Sequence, residues 1–344
     1  MKSKRVFRLN KSILLSMVIA MVMTFGAVGV QRVKGLGVLS TSLPQQGELL
    51  PGEVIPPANS VLPAPNPQEN KYLIGWWLHW NGPLSRVGEY ASYGQNIFLL
   101  DGGYCNTGLL QTFKDYLAEA EKYNTKVIIY LRCQDRTTQG ISDADFITTI
   151  NALKVYPALY AWSIADEPAH TTDTAARDRR HVRLVYSYNL LKQYDTEHPV
   201  IISFDFNSFN AGWMQPFVDV VDIIGIHHYP YYSNLPIGAN VHSDELWSGV
   251  VALAQANGKS VIATGQGFGE GWTPFRNPTY EELLADTQSA FHNGIPIFLY
   301  WMDNASTDEM RARVNQVIND VSGSMISPTL TVTPTIEAAK DPKK

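Results

Sequence analysis

Charge is scarce in this chain. Of its 344 residues, 17% are Asp, Glu, Lys or Arg, and the net charge is -5. No basic stripe appears, which excludes nucleic acid as the main partner. Cysteine is nearly absent: Cys105 and Cys133 are the only two, and they show no zinc-type spacing. No His-x-His pair marks the first apolar segment, where only His79 stands. His227 and His228, as strand neighbours, point to opposite faces and are a poor pair for one ion. No metal or cofactor is read from the chain.

Hydrophobic residues are plentiful, at 45%, enough for a sizeable core. The first of them belong to a targeting segment. Lys2, Lys4, Arg5, Arg8 and Lys11 lead into an almost wholly apolar run, Ile13 to Val30. Residues 1–34 therefore read as an export signal, long enough to remain as a membrane anchor, and the protein is expected to work outside the cytoplasm. In that setting Cys105 and Cys133 form either a disulfide or two thiols. Residues 35–70 are rich in Pro, Gly, Ser and Gln and read as a linker. Residues 323–344 form a Thr/Pro-rich, solvated tail.

Between these ends, over residues 71–322, short apolar strands alternate with helical patterns. The strands are Tyr72–Trp77, Asn96–Leu100, Lys126–Leu131, Leu159–Ala165, Pro199–Phe204, Asp222–His227, Ser260–Gly265 and Ile295–Trp301. Near-continuous apolar strands mean a parallel sheet covered by helices. Eight such units predict a single-domain α/β fold, the closed (β/α)8 TIM barrel. A doubly wound open sheet is the second choice. It would show a Gly-rich phosphate loop after the first strand, where Trp76-Trp77-Leu78-His79-Trp80 stands instead.

A barrel of this kind works at the C-terminal ends of its strands. Those ends read Trp76/Trp77, Asp101, Arg132, Glu167, Asp205, His227/Tyr229, Gln266 and Trp301, polar and aromatic where the strands behind them are apolar. The acidic pair in Trp162-Ser-Ile-Ala-Asp-Glu-Pro168 is the best candidate for acid/base chemistry. If Glu167 points inward, strict alternation puts Ala161, Ser163 and Ala165 on its face and sends Asp166 outward, unless a bulge turns it in. The plainer reading of Glu167 is a surface salt-bridge residue. Trp76, Trp77, Trp272 and Trp301 either fill the barrel mouth or stack on sugar rings.

The order of these ends resembles the large clan of retaining (β/α)8 glycoside hydrolases. Asp166-Glu167-Pro168 matches the clan's fourth-strand Asn-Glu-Pro-like motif, His227-His228-Tyr229 its sixth-strand His-x-Tyr pattern, and Trp301 its eighth-strand aromatic. The resemblance implies a carbohydrate substrate and Glu167 as general acid/base. It also implies a Glu nucleophile at the end of the seventh strand, and there this chain departs: Gln266 stands in that place. A neutral amide cannot form the glycosyl ester. Either Glu270, four residues on, reaches back, or the mechanism differs, or the barrel binds glycans without cutting them. The adjacent Asp166-Glu167 pair also resembles hexosaminidases in which the substrate's acetamido group attacks while the Asp orients it. Asp205 and Asp303 are further carboxyls for sugar hydroxyls or, equally, loop caps.

Overall fold

The computed structural model describes residues 72–102, 107–133, 141–238 and 243–325. The chain divides into two units, Met1–Ser60 and Val61–Lys344, and the described residues all belong to the second. The apolar run 13–30, the linker 35–70, most of the tail and Cys105 lie outside them. Among the described residues no helix is long and apolar enough to cross a membrane.

Eight parallel strands close into a barrel in sequence order: β1 Leu73–His79, β2 Ile97–Asp101, β3 Lys126–Tyr130, β4 Leu159–Asp166, β5 Val200–Asp205, β6 Ile223–His228, β7 Ser260–Gln266 and β8 Ile297–Trp301. β8 pairs with β1 through Leu73–Ile297 to Trp76–Tyr300, which completes the ring. The helices are α1 Arg86–Ala91, α2 Leu110–Lys122, α3 Asp143–Leu153, α4 Thr174–Tyr194, α5 Phe206–Asn210, α6 Ser243–Ala256, α7 Tyr280–His292 and α8 Asp308–Met325. Local chemistry sets their starts. Ser142 accepts from Asp145 N at the head of α3, and Asp173 does the same for Ala176 N at α4. Thr279 and Glu282 form a reciprocal capping box on α7.

Alternation along the strands builds two cores. Trp77, Leu99, Ile128, Tyr130, Ile201, Ile223, Ile262 and Leu299 fill the barrel interior. Their neighbours, including Trp76, Leu100, Ile129, Trp162, Ile224 and Phe298, pack outward beneath the helices. The doubly wound alternative is thereby excluded.

β4 breaks the strict period where the site begins. Its register against β5 slips between Ser163 and Ala165. Ile164 and Ala165 both join the outer core. Two successive outward residues are the mark of a bulge, and the bulge brings Asp166 inward. Ala165 thus does not share the face of Glu167, as strict alternation predicts.

Candidate active site

The strand ends gather their polar side chains at the C-terminal mouth. Glu167 follows the bulge with φ 47°, in the left-handed region that non-glycine residues seldom occupy. Its N–H donates to Ser203 O at 2.8 Å, so β4 stays tied to β5 while the chain turns. Arg132, just past β3, has φ 46°. Two strained backbones at neighbouring strand ends hold two charged side chains at one mouth, an arrangement common where function constrains the chain.

His227 joins the acidic pair. Its Nδ1 lies 3.1 Å from Glu167 Oε1 and its Nε2 3.3 Å from Asp166 Oδ1. Burial alone would lower the imidazole pKa, but Asp166 and Glu167 outweigh it and the net shift is upward. Burial raises the Asp166 pKa to about 6, with His227 opposing the rise and Glu167 adding to it. Both shifts run upward, towards the protonated forms of Asp166 and His227. Trp77 meets the His227 ring edge-on at 5.6 Å, and Tyr229 stacks on it at 5.4 Å.

Arg132 Nη2 donates to Asp101 Oδ2 at 3.0 Å. Asp205 accepts from Ser208 N at 3.0 Å and from the Ser208 hydroxyl, so it caps α5. His170 Nδ1 sits 3.2 Å from the same carboxylate. Burial would raise the Asp205 pKa, but these hydrogen bonds outweigh it and the net shift is downward. One donor atom each from Glu167, His170 and Asp205 lie within 4.8 Å of one another, a spacing that a cation would accept. The carboxylates of that set are already engaged by His227, Ser208 and His170. Sequence reasoning missed His170. Its only signal is its place three residues after Glu167.

Trp77 Nε1, Ser163 Oγ and Tyr229 Oη are buried polar atoms with no hydrogen-bond partner among the described residues. All belong to inner-face or mouth residues.

Several expected site residues stand elsewhere. Trp76 is fully buried in the outer core, and its Nε1 donates to Asn315 Oδ1 at 2.9 Å. In β1 only one of two adjacent indoles can face inward, and that one is Trp77. Asp303 is buried against the Arg86 guanidinium, and Tyr90 Oη donates to it at 3.2 Å. It braces the β8–β1 side of the barrel, with its carboxylate held by these two side chains.

Gln266 is also withdrawn from the cleft. It has no exposed surface, and both ends of its amide are in use. Its Oε1 accepts from Tyr231 N at 3.1 Å, while its Nε2 donates to Phe268 O at 2.9 Å and to Arg276 O at 3.0 Å. Glu270 is exposed in the loop beyond. Its backbone N–H donates to Asn277 Oδ1 at 2.9 Å, and its carboxylate makes no hydrogen bond or ion pair among the described residues. Trp301 and Trp272 do line the mouth, edge-on at 5.0 Å, with Trp272 44% exposed. Cys133 is buried just past β3. A bridge to Cys105 lies outside the described residues.

No protein-family model matches the chain, and no curated protein matches it in sequence. Among solved structures, the fold is similar to a β-galactosidase from the psychrophilic Marinomonas ef1. The TM-score is 0.56 at 11% identity, over 74% of this chain and 62% of that one. A β-glucuronidase from Ruminococcus gnavus aligns with a TM-score of 0.48 at 17% identity, over 67% of this chain and 42% of that one. The chain thus spans less than two thirds of the length of either enzyme. At this distance the galactosidase shares the barrel fold with it, the fold expected from the eight alternating strand and helix units.

Proposed function

We propose that this protein is an exported glycoside hydrolase in which Glu167 is the proton donor to the leaving glycosidic oxygen. The observation that carries this reading is the Asp166–His227–Glu167 cluster at the barrel mouth, with His227 within 3.3 Å of both carboxylates. A general acid needs a proton near neutral pH and a route to the substrate. His227, shifted upward and 3.1 Å from the Glu167 carboxylate, is a proton source for the first, and the partial exposure of the Glu167 side chain favours the second. Trp272 and Trp301 offer faces and edges for the apolar side of a sugar ring. The barrel shared with a β-galactosidase is compatible with the reading.

A second reading concerns the partner of Glu167, and a specific observation favours it. The Gln266 amide is consumed by two backbone carbonyls and a backbone N–H. The bulge meanwhile delivers Asp166 to the inner face beside Glu167. Attack by a 2-acetamido group, oriented by Asp166, requires no seventh-strand carboxylate. The alternative is Glu270 as nucleophile, which demands that its exposed loop reach back over the cleft.

Product analysis over a panel of β-glycans, with and without 2-acetamido groups, separates these. Acetamido-assisted chemistry predicts that Asp166→Asn loses most turnover and Glu270→Ala keeps it, on N-acetylated substrates only. Loss with Glu270→Ala, restored by azide as a glycosyl azide of inverted configuration, assigns Glu270. No cleavage anywhere in the panel makes the protein a glycan-binding barrel.

A further inference from the structure

Gln266 makes hydrogen bonds that only an amide can make at once: one accepted through Oε1 and two donated through Nε2. A carboxylate in its place would set negative oxygen against two carbonyls. The partners are informative. Tyr231 belongs to the loop after β6, and Phe268 and Arg276 to the loop after β7. Gln266 therefore joins two loops from the buried end of β7.

Around that joint the loops are zipped. Arg276 N donates to Tyr231 O at 2.9 Å, and Ser233 N to Pro274 O at 2.8 Å. Tyr232 and Phe275 pair as an antiparallel bridge, with their rings stacked at 4.9 Å. The Arg276 guanidinium grips Glu282 at 2.7 and 2.8 Å and also reaches Leu235 O and Pro236 O. Glycine is required where the loop folds on itself, since a Cβ at Gly269 would lie 2.0 Å from Asn277 Oδ1.

Phe268 is the hub of what this joint supports. It is buried, and its ring meets Trp301 at 5.0 Å, Tyr229 at 5.1 Å, Phe275 at 5.0 Å and Trp272 at 5.8 Å. Its carbonyl is one of the two that Gln266 holds. Fixing that carbonyl fixes the hub ring, and the hub ring fixes the exposed indole of Trp272 against Trp301.

We propose that Gln266 is a positioning residue: its amide latches the two loops into a rigid aromatic ledge on which Trp272 receives a sugar ring beside Glu167. The proposal rests on the carbohydrate reading. It gives the amide a reason to stand where a nucleophile is expected, and it makes a clear prediction about the charge of that site. Gln266→Glu does not create a nucleophile. It removes the latch above the pKa of the new carboxyl, and acid partly restores it, because a protonated carboxyl donates one hydrogen bond.

The test compares wild type, Gln266→Glu and Trp272→Ala on the full folded chain. Chitotriose and cellotriose are the binding probes, with calorimetry at pH 7.5 and pH 5. Trp272 is 44% exposed and lies at the rim of the ledge, so its alanine variant should still fold. For the trisaccharide that wild type binds, each variant should weaken affinity about tenfold at pH 7.5, the equivalent of ~1.4 kcal/mol. In turnover, KM should rise in both while kcat changes little. At pH 5 Gln266→Glu should regain part of its loss relative to wild type, and Trp272→Ala should not. Acrylamide quenching of tryptophan fluorescence should rise in Gln266→Glu at pH 7.5 and fall back at pH 5.

Unchanged affinity in Trp272→Ala overturns the ledge as a sugar platform. Gain of hydrolysis in Gln266→Glu, or quenching that ignores pH, overturns the latch. If Gln266→Glu does not fold, Phe268→Leu, which keeps the carbonyl and alters the hub ring, must show the same KM rise or the proposal fails. If wild type binds neither probe, this proposal falls. The hydrolase reading falls only if the wider glycan panel is also inert.

Discussion

Asp166 carries a negative charge that the fold disfavours. Burial raises its pKa to about 6, His227 opposes the rise and Glu167 adds to it. A carboxyl whose folded pKa exceeds its unfolded value favours the fold most below the unfolded value, and that contribution is lost as pH rises through about 6. Above pH 6 the folded protein therefore holds an anion that it binds poorly. The Asp166 side chain is 30% exposed, so solvent screens part of this cost. Asp166→Asn should stabilise the protein by about 1–2 kcal/mol at pH 7.5, and the gain should shrink towards nothing near pH 4. Thermal melts at the two pH values check this. A variant less stable than its parent at pH 7.5 would show that Asp166 is there for the fold.

Glu282, at the first turn of α7, has the opposite sign. Burial would raise its pKa, but Arg276 and the N–H groups of Thr279 and Gly238 outweigh it and bring it to about 2. A carboxylate with a depressed pKa stabilises fully above its unfolded value, and that contribution disappears as pH falls towards 2. Glu282→Gln should therefore cost about 2–3 kcal/mol at pH 7, and the difference from the parent should shrink as pH falls towards 2. Denaturant melts across that range provide the check, and a constant difference would remove the Arg276–Glu282 pair from the account. At the scale of elements the sequence is unevenly legible, for physical reasons. Helix caps and strand ends are local, so Ser142, Asp173 and Thr279 announce their helices. A bulge is a relation between two strands, so the turn that brings Asp166 inward has no mark in β4 alone. Adjacent indoles in β1 must face opposite ways, but nothing in the strand says that Trp76 is the outward one. The partners of Gln266 sit in loops after β6 and β7, beyond the reach of any local pattern.

Over the whole molecule the barrel was legible because it repeats: eight apolar strands, each followed by a helical or turn-rich connection, leave few other solutions. The position of Glu167 was legible for the same reason, since the fourth repeat ends on it. What the repeat does not encode is how neighbouring strand ends meet, and the chemistry depends on that meeting. The central claim is that Glu167 delivers a proton across this mouth, and leaving-group dependence tests it most directly. We would measure kcat/KM for wild type and Glu167→Gln on a cleaved natural glycan and on an aryl glycoside with an acidic leaving group. Loss of about 10²–10⁴-fold on the glycan, with a much smaller loss on the aryl glycoside, is the predicted result. Near-normal turnover of the natural glycan by Glu167→Gln would contradict it.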